Sequence, residues 1–201
     1  MANQRQVQAE RTRLRVLAVA REMFLDPGYA STSTTDIAEA AGVGTRGALY
    51  HHFKDKRALF AAVFEQVEKE MTDRITGRDT PGDNGFERLR TVISATIDAS
   101  TDAPEIRRIL LVDGPAVLGW ESWREIAAEY GLGVLRDMVA DGIDDGSIRA
   151  LAPDATALLL LRSVDEAALY IAHSDEPRAA RAEAGQALEA LLDGLRMGTA
   201  S

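Results

Sequence analysis

Gly42 to Gly47 reads GVGTRG and matches G-x-G-x-x-G, the pattern of a dinucleotide-binding turn. That chemistry needs a strand leading into the glycine turn and a helix whose N-terminal amides meet a pyrophosphate. Here the pattern follows the helix-like DIAEAA, and the acids at about the right distance, Glu65 and Glu68, fall within a helical pattern instead of at the end of a second strand. A nucleotide-dependent enzyme using Gly42–Gly47 is therefore the weaker alternative. His51 and His52 are adjacent, diverge by about 100° on a helix and cannot close on one metal ion. His173 is the remaining histidine, no Ser/His/Asp arrangement can be assembled from local spacing, and zero cysteines remove thiolate ligands and nucleophiles. DGIDDGSIRALA fails as a calcium loop, because its third and twelfth positions are Ile143 and Ala152. No catalytic residue, no metal site and no cofactor is expected.

The same glycines acquire another chemistry as the turn and leading edge of a helix-turn-helix. STSTTDIAEAAG reads as a helix of about two turns, opened by hydroxyl residues suited to an N-cap and ended by Gly42. Gly44 lengthens the turn, and a third short helix runs from Thr45 or Arg46 to His52. Leu49 and Phe53, at i and i+4, can pack inward on Ile37 and the first helix, leaving Thr45, Arg46, Gly47, Tyr50 and His51 outside. Arg46 is the long cation at the tip and can pair bidentately with guanine; Thr45 can cap the helix or touch a base or phosphate; Gly47 allows close approach. Tyr50 and His51 can donate to phosphate oxygens, although Tyr50 also fits a half-buried surface aromatic. Lys56 and Arg57 follow the cap candidate Asp55. Cations in a first turn oppose the helix dipole by about 0.3 to 1 kcal/mol each, so their placement suits an arriving phosphate; a solvated charged face is the plainer alternative.

These residues must be held by helices, since the period throughout is helical. In RTRLRVLAVAREMFL, Leu14, Leu17, Ala18, Arg21 and Phe24 make one largely apolar stripe, and Asp26-Pro27-Gly28 stops the helix. The fourth helix, KRALFAAVFEQVEKEM, carries Leu59, Phe60, Val63, Phe64, Val67 and Met71 at spacings of three and four. TGRDTPGDNG, residues 76–85, is the clearest linker. Beyond it FERLRTVISATIDAS reads as a helix, then PEIRRILLVD ended by Gly114-Pro115, a long WESWREIAAEYGLGVLRDMVADGI, PDATALLLLRSVDEAALYIAH opened by Pro153, and PRAARAEAGQALEALLDGLR. No segment alternates like a strand, so the fold class is all-α. The expected division is a helix-turn-helix domain over residues 1–60, with helix four linking onward to about 75, and a larger helical domain over 61–201.

Composition supports that division. The 201 residues carry a net charge of −9, but residues 1–60 hold nine Lys and Arg against six acids, whereas the rest holds 14 against 26. A small cation-rich module on an acidic body is the natural reading. There is no apolar run of about 18 residues and no signal-type core near the N-terminus, so a soluble, cytoplasmic protein with no membrane partner is expected.

From about Arg13 to Phe64 the order of features resembles the tetracycline-repressor (TetR) family of transcriptional regulators: helix one ending before Gly28-Tyr29, then STSTTDIAEAAGV, RGALYHHF and KDKRALF. The resemblance covers roughly the first third of the chain; the helical remainder agrees in length and class. It implies a homodimer in which each N-terminal domain reads half of a palindromic operator on double-stranded DNA. It also implies that the C-terminal domain binds a small-molecule effector and dimerises through its last two long helices, and that the protein represses until the inducer releases it. By position it assigns DNA contacts to Thr35, Thr45, Arg46, Gly47, Tyr50, His51 and Lys56. From Ile37 to Tyr50 the chain carries one residue more than the family's usual turn, with Gly44 the natural insertion, so the base-contacting register at Thr45 and Arg46 is open by one position.

The C-terminal body offers Asp113, which interrupts the apolar ILLVDGPAVLGW, together with Trp120, Trp123, Tyr130, Tyr170 and His173, as candidates to line an effector pocket; the tryptophans fit plain core as well. An acid in an apolar wall favours a cationic or hydrogen-bonding ligand. Arg162 with Asp165 and Glu166 can pair within their helix or across a dimer. Ala184, Leu188, Leu191 and Leu195, beside LLLL at 158–161, need more cover than one hairpin provides, which a four-helix dimer interface supplies. A helical small-molecule-binding protein or enzyme without a DNA role is the rival reading, supported by the net charge.

Overall fold

The second, third and fourth helices each begin at a side chain that caps them. Ser33 Oγ accepts the Asp36 amide at 3.1 Å, Thr45 Oγ1 that of Ala48 at 3.2 Å, and Asp55 Oδ1 that of Ala58 at 2.7 Å. Each satisfies one of the donors that a helix start leaves free. The computed structural model describes residues 2–77 and 83–197, so residues 78–82 of the expected linker lie outside the described residues. In order, the helices are α1 (Ala2–Met23), α2 (Thr34–Ala40), α3 (Arg46–Tyr50), α4 (Lys56–Thr76), α5 (Gly85–Asp102), α6 (Gly114–Leu118), α7 (Trp120–Asp144), α8 (Pro153–Ala172) and α9 (Pro177–Asp193). A wide-turned helical segment, Ile106–Asp113, leads directly into α6, and a kinked turn, Phe24–Gly28, follows α1. Among the described residues there is no strand, only an isolated bridge between Ile148 and Arg196. No described helix is long and apolar enough to cross a membrane. The fold is all-α.

Two expectations change. Along α1 the inward face is Val16, Leu17 and Ala20, continued by Phe24 of the kinked turn, while Leu14 and Ala18 are exposed. The buried face is thus rotated from that stripe, and Arg21, at its edge, is ion-paired with Glu70 and Glu105. Gly114-Pro115 does not end a helix: the chain stays helical to Leu118 and turns at Gly119, whose φ is +79°. Along Ile106–Asp113 the hydrogen bonds run from i+5 to i, and the donor due to the Leu110 carbonyl would be residue 115, a proline without an N–H. The Trp123 indole supplies it instead, donating to the Leu110 oxygen at 2.8 Å. Proline is accommodated because α7 replaces the bond it removes.

Two continuous cores result. One joins Phe24, Ile37, Leu49, Phe53, Phe60 and Phe64, from the first four helices and the turns between them, to Ile109, Leu110 and Trp123; the other packs α5 against α7, α8 and α9. In the second, α5 and α7 cross backbone to backbone: a Cβ on Gly85 would sit 2.2 Å from the Gly142 amide nitrogen.

Candidate functional site

The turn between α2 and α3 closes by hydrogen bonds that require its glycine. The Gly42 amide donates to the Glu39 carbonyl at 2.9 Å and the Val43 amide to that of Ala38 at 3.0 Å, the paired bonds that end a helix with a left-handed residue. Gly42 has φ +61° and Gly44 +81°. GVGTRG thus follows a helix and not a strand, and its glycines bend the backbone between two helices.

Leu49 and Phe53 are buried in the core with Ile37, which fixes the rotation of α3. Thr45, Arg46, Gly47 and His51 are exposed in consequence, Tyr50 is half-buried, and Thr35 is exposed at the start of α2. A Cβ on Gly47 would meet nothing closer than Thr45 Oγ1 at 3.7 Å. Internal packing therefore does not demand glycine there. Arg46 folds back along its helix, its Nε and Nη2 donating to the Tyr50 hydroxyl at 3.1 and 3.0 Å, with the guanidinium 5.3 Å from the ring centroid. The Tyr50 hydroxyl also lies 3.4 Å from Thr34 Oγ1. The hydrogen bond with Thr34, then those from Arg46, hold the Tyr50 phenol below its usual pKa.

The cations opening α4 face carbonyls of this chain. The Lys56 ammonium donates to the Tyr29 carbonyl and sits 4.0 Å from the centre of the Tyr29 ring. Burial holds its pKa below the usual lysine value, with Asp113 acting in the opposite sense. Arg57 donates to Val117 and Leu118 at 3.1 and 2.7 Å, where the free carbonyls of α6 attract a cation. Their placement in a first turn is accounted for by these bonds, without a phosphate.

The candidate pocket residues do not converge. Asp113 Oδ2 accepts the Tyr29 amide at 3.2 Å and Arg108 Nε at 3.0 Å, so it joins the end of the first helical unit to the segment before α6. Trp120 is 56% exposed and meets Trp123 edge-on. Tyr170 is 54% exposed and its hydroxyl donates to Glu183 at 2.7 Å; Tyr130 is half-buried; His173 is exposed, its Nδ1 2.8 Å from the Leu169 carbonyl oxygen. Arg162 pairs with Asp165 inside α8 at 3.0 Å.

Only Trp123 of that set lines the small cavity of about 40 Å³ enclosed by α4, α5, the wide-turned segment, α7 and α8. Met71, Leu110, Leu111, Ala127 and Val164 make its apolar wall, with Thr96, Ser100, Glu68 and Asp165 as polar groups. The acid in an apolar wall is thus Glu68, which sequence reading missed: it looks like part of a solvated run with Glu65 and Glu70. The available signal was its position between Phe64 and Met71, four and three residues away, on the apolar stripe of α4. Glu68 is 8% exposed, and burial, then Asp165, lift its carboxyl pKa to about 8. Burial also raises the Asp165 pKa, against the Arg162 bond.

Comparison with known proteins agrees with this architecture. Residues 16–63 match the family model of bacterial regulatory proteins of the tetR family, and residues 86–195 match the model of the tetracyclin repressor-like C-terminal domain. The Transposon Tn10 TetC protein of Escherichia coli is 30% identical over 141 residues, 70% of each chain. A TetR-family transcriptional regulator from Pectobacterium atrosepticum superposes with a TM-score of 0.85 at 36% identity, over 96% of this chain and 98% of its own. RolR, solved with resorcinol, shares the fold at a TM-score of 0.74 and 17% identity, over 94% of this chain and 90% of its own. Two family models in tandem, together spanning most of the chain, make it a member of the TetR family of transcriptional regulators, which are not enzymes.

Proposed function

We propose that the chain is a ligand-responsive repressor that acts as a homodimer on a palindromic operator in the cytoplasm. The observation that carries this is the outer row of α3: Leu49 and Phe53 lock the helix, and Thr45, Arg46, Gly47 and His51 are left exposed with Tyr50 beside them. In the major groove Arg46 reads guanine, Thr45 approaches an adjacent base or phosphate, and Gly47 lets the backbone come close. Thr35, Tyr50 and His51 donate to phosphates, and Lys56 adds the ammonium hydrogens that Tyr29 does not use. The reading domain is residues 1–60, α4 leads out of it, and residues 61–201 form the effector-binding and dimerisation domain.

Dimerisation uses the apolar surface that the monomer leaves uncovered on α8 and α9. Leu158, Leu159 and Leu191 are 43%, 69% and 57% exposed, whereas Leu160, Leu161, Leu188 and Leu192 pack inward. The effector enters the cavity beside Glu68. Because about 40 Å³ accommodates little more than water-sized groups, a ligand must part the walls, among them Leu110 and Leu111. The same segment ends at Asp113, which holds the Tyr29 amide, and α6 beyond it is held by Arg57. Moving it shifts the reading domains away from the separation of about 34 to 36 Å, or a multiple, that two half-sites demand.

The test is binding to the DNA upstream of the chain's own gene, repeated across salt. Specific binding that weakens steeply with salt is expected, about one counterion being released per phosphate contact. Absence of specific binding at every low salt concentration overturns the reading in favour of a helical ligand-binding protein without a DNA role.

A further inference from the structure

The Glu68 carboxyl is the buried polar group for which the fold provides no use. It lines the cavity and takes part in none of the hydrogen bonds or ion pairs among the described residues. Leaving a buried polar group unpaired is costly, and the cost is recovered when a ligand supplies the missing partner. The surroundings select that partner. Thr96 and Ser100 of α5 already donate their hydroxyls to the Val92 and Thr96 carbonyls. Asp165 of α8 lies on the same wall with a side chain 13% exposed, bonded to Arg162. The remaining wall is apolar, with the flexible Met71 at one side.

We propose that this cavity binds a compact apolar amine as its ammonium cation, with the Glu68 carboxylate as counter-ion and Asp165 beside it, an assignment that rests on the ligand-responsive function above. An anionic effector would meet two carboxyl groups and no free cation on the wall. A neutral one would bond the protonated carboxyl without displacing its proton, and the alcohol probes below test that alternative. The charged group acting on Glu68 is Asp165 from α8, with Arg162 behind it; on α7, Arg124 acts on Asp165, and Tyr130 feels the Glu68 charge, which helps to raise its pKa. On α4 itself, Glu65 and Lys69 are the sequence neighbours. The wide-turned segment presents Ile106, Leu110 and Leu111, which do not titrate. Near neutral pH the empty site holds Glu68 protonated, so an ammonium ligand expels one proton as it binds: the carboxyl O–H breaks, the proton goes to solvent, and the carboxylate pairs with the cation.

The probes are butylamine and benzylamine against butanol and benzyl alcohol, titrated calorimetrically into the full-length protein in two buffers of different ionisation heat. Amines are expected to bind more than ten-fold tighter than the alcohols, to release a proton, and to gain affinity as pH rises towards about 8, where Glu68 ionises unaided. Glu68→Gln loses amine binding at least ten-fold while keeping its circular dichroism spectrum. Asp165→Asn removes the neighbouring acid and moves the pH midpoint of amine binding downward, which a merely structural role does not do. Amines that fail to bind, that bind no better than the alcohols, or that bind Glu68→Gln as well as the natural protein overturn the cation assignment. Alcohols that release the protein from its operator without dependence on Glu68 overturn it too, yet leave the repressor reading standing. Failure of the ligand-free protein to bind any DNA defeats the repressor reading, while amine binding still answers for the site.

Discussion

At Arg46 the guanidinium is folded onto the Tyr50 hydroxyl through Nε and Nη2, which leaves Nη1 and one Nη2 hydrogen to meet a base unless the side chain swings out. Replacing it with alanine is expected to cost about 1 to 3 kcal/mol at one base pair and to relax discrimination there, whereas Lys56→Ala should weaken all sequences alike; competition binding with single-base operator variants checks both. The buried carboxyl of Glu68 makes a second prediction at this scale. Its pKa in the folded protein lies above the ordinary value of 4.5, so the native state holds a proton that the unfolded chain gives up. The group contributes its full stability below pH 4.5 and loses about 1.4 kcal/mol per pH unit as pH rises through the window up to about 8. Glu68→Gln removes that fall, and urea unfolding at pH 5 and pH 8 should show the variant gaining on the natural protein at the higher pH. Glu68 escaped the sequence reading because three glutamates within six residues resemble a solvated face; only its register against Phe64 and Met71 marks it as inward.

Among the elements, what could be read in advance was what neighbouring residues determine. Ser33, Thr45 and Asp55 cap the helices that follow them, and Leu49 and Phe53 face inward, because caps and i, i+4 spacing act within one turn. The continuation of the helix through Gly114-Pro115 was not legible, since the donor that replaces the proline N–H comes from Trp123 on the next helix. A still longer separation in sequence hid the role of Asp113, whose partner Tyr29 lies 84 residues away. Trp123→Phe keeps the ring in the core but strands the Leu110 carbonyl, which should cost about 1 to 3 kcal/mol. A fall in thermal midpoint of several degrees would be the expected reading for a chain of this size, and an unchanged midpoint would mean that another donor reaches Leu110.

For the whole molecule, the charge asymmetry and the uncovered leucines make the same demand. An acidic body on a cation-rich reading domain gains little from DNA as a single copy, and pairing through α8 and α9 joins two reading domains while covering Leu158, Leu159 and Leu191. Leu159→Glu should shift sedimentation at micromolar concentration from dimer to monomer and reduce operator affinity together with it. A variant that stays dimeric would move the interface elsewhere. The most direct measurement is selection from a random duplex library by the purified, ligand-free protein. Paired recognition helices require an inverted repeat whose half-site centres lie about one helical turn or a multiple apart, and such enrichment is the expected result. Recovery of unenriched sequences, or of one unpaired half-site, would contradict it.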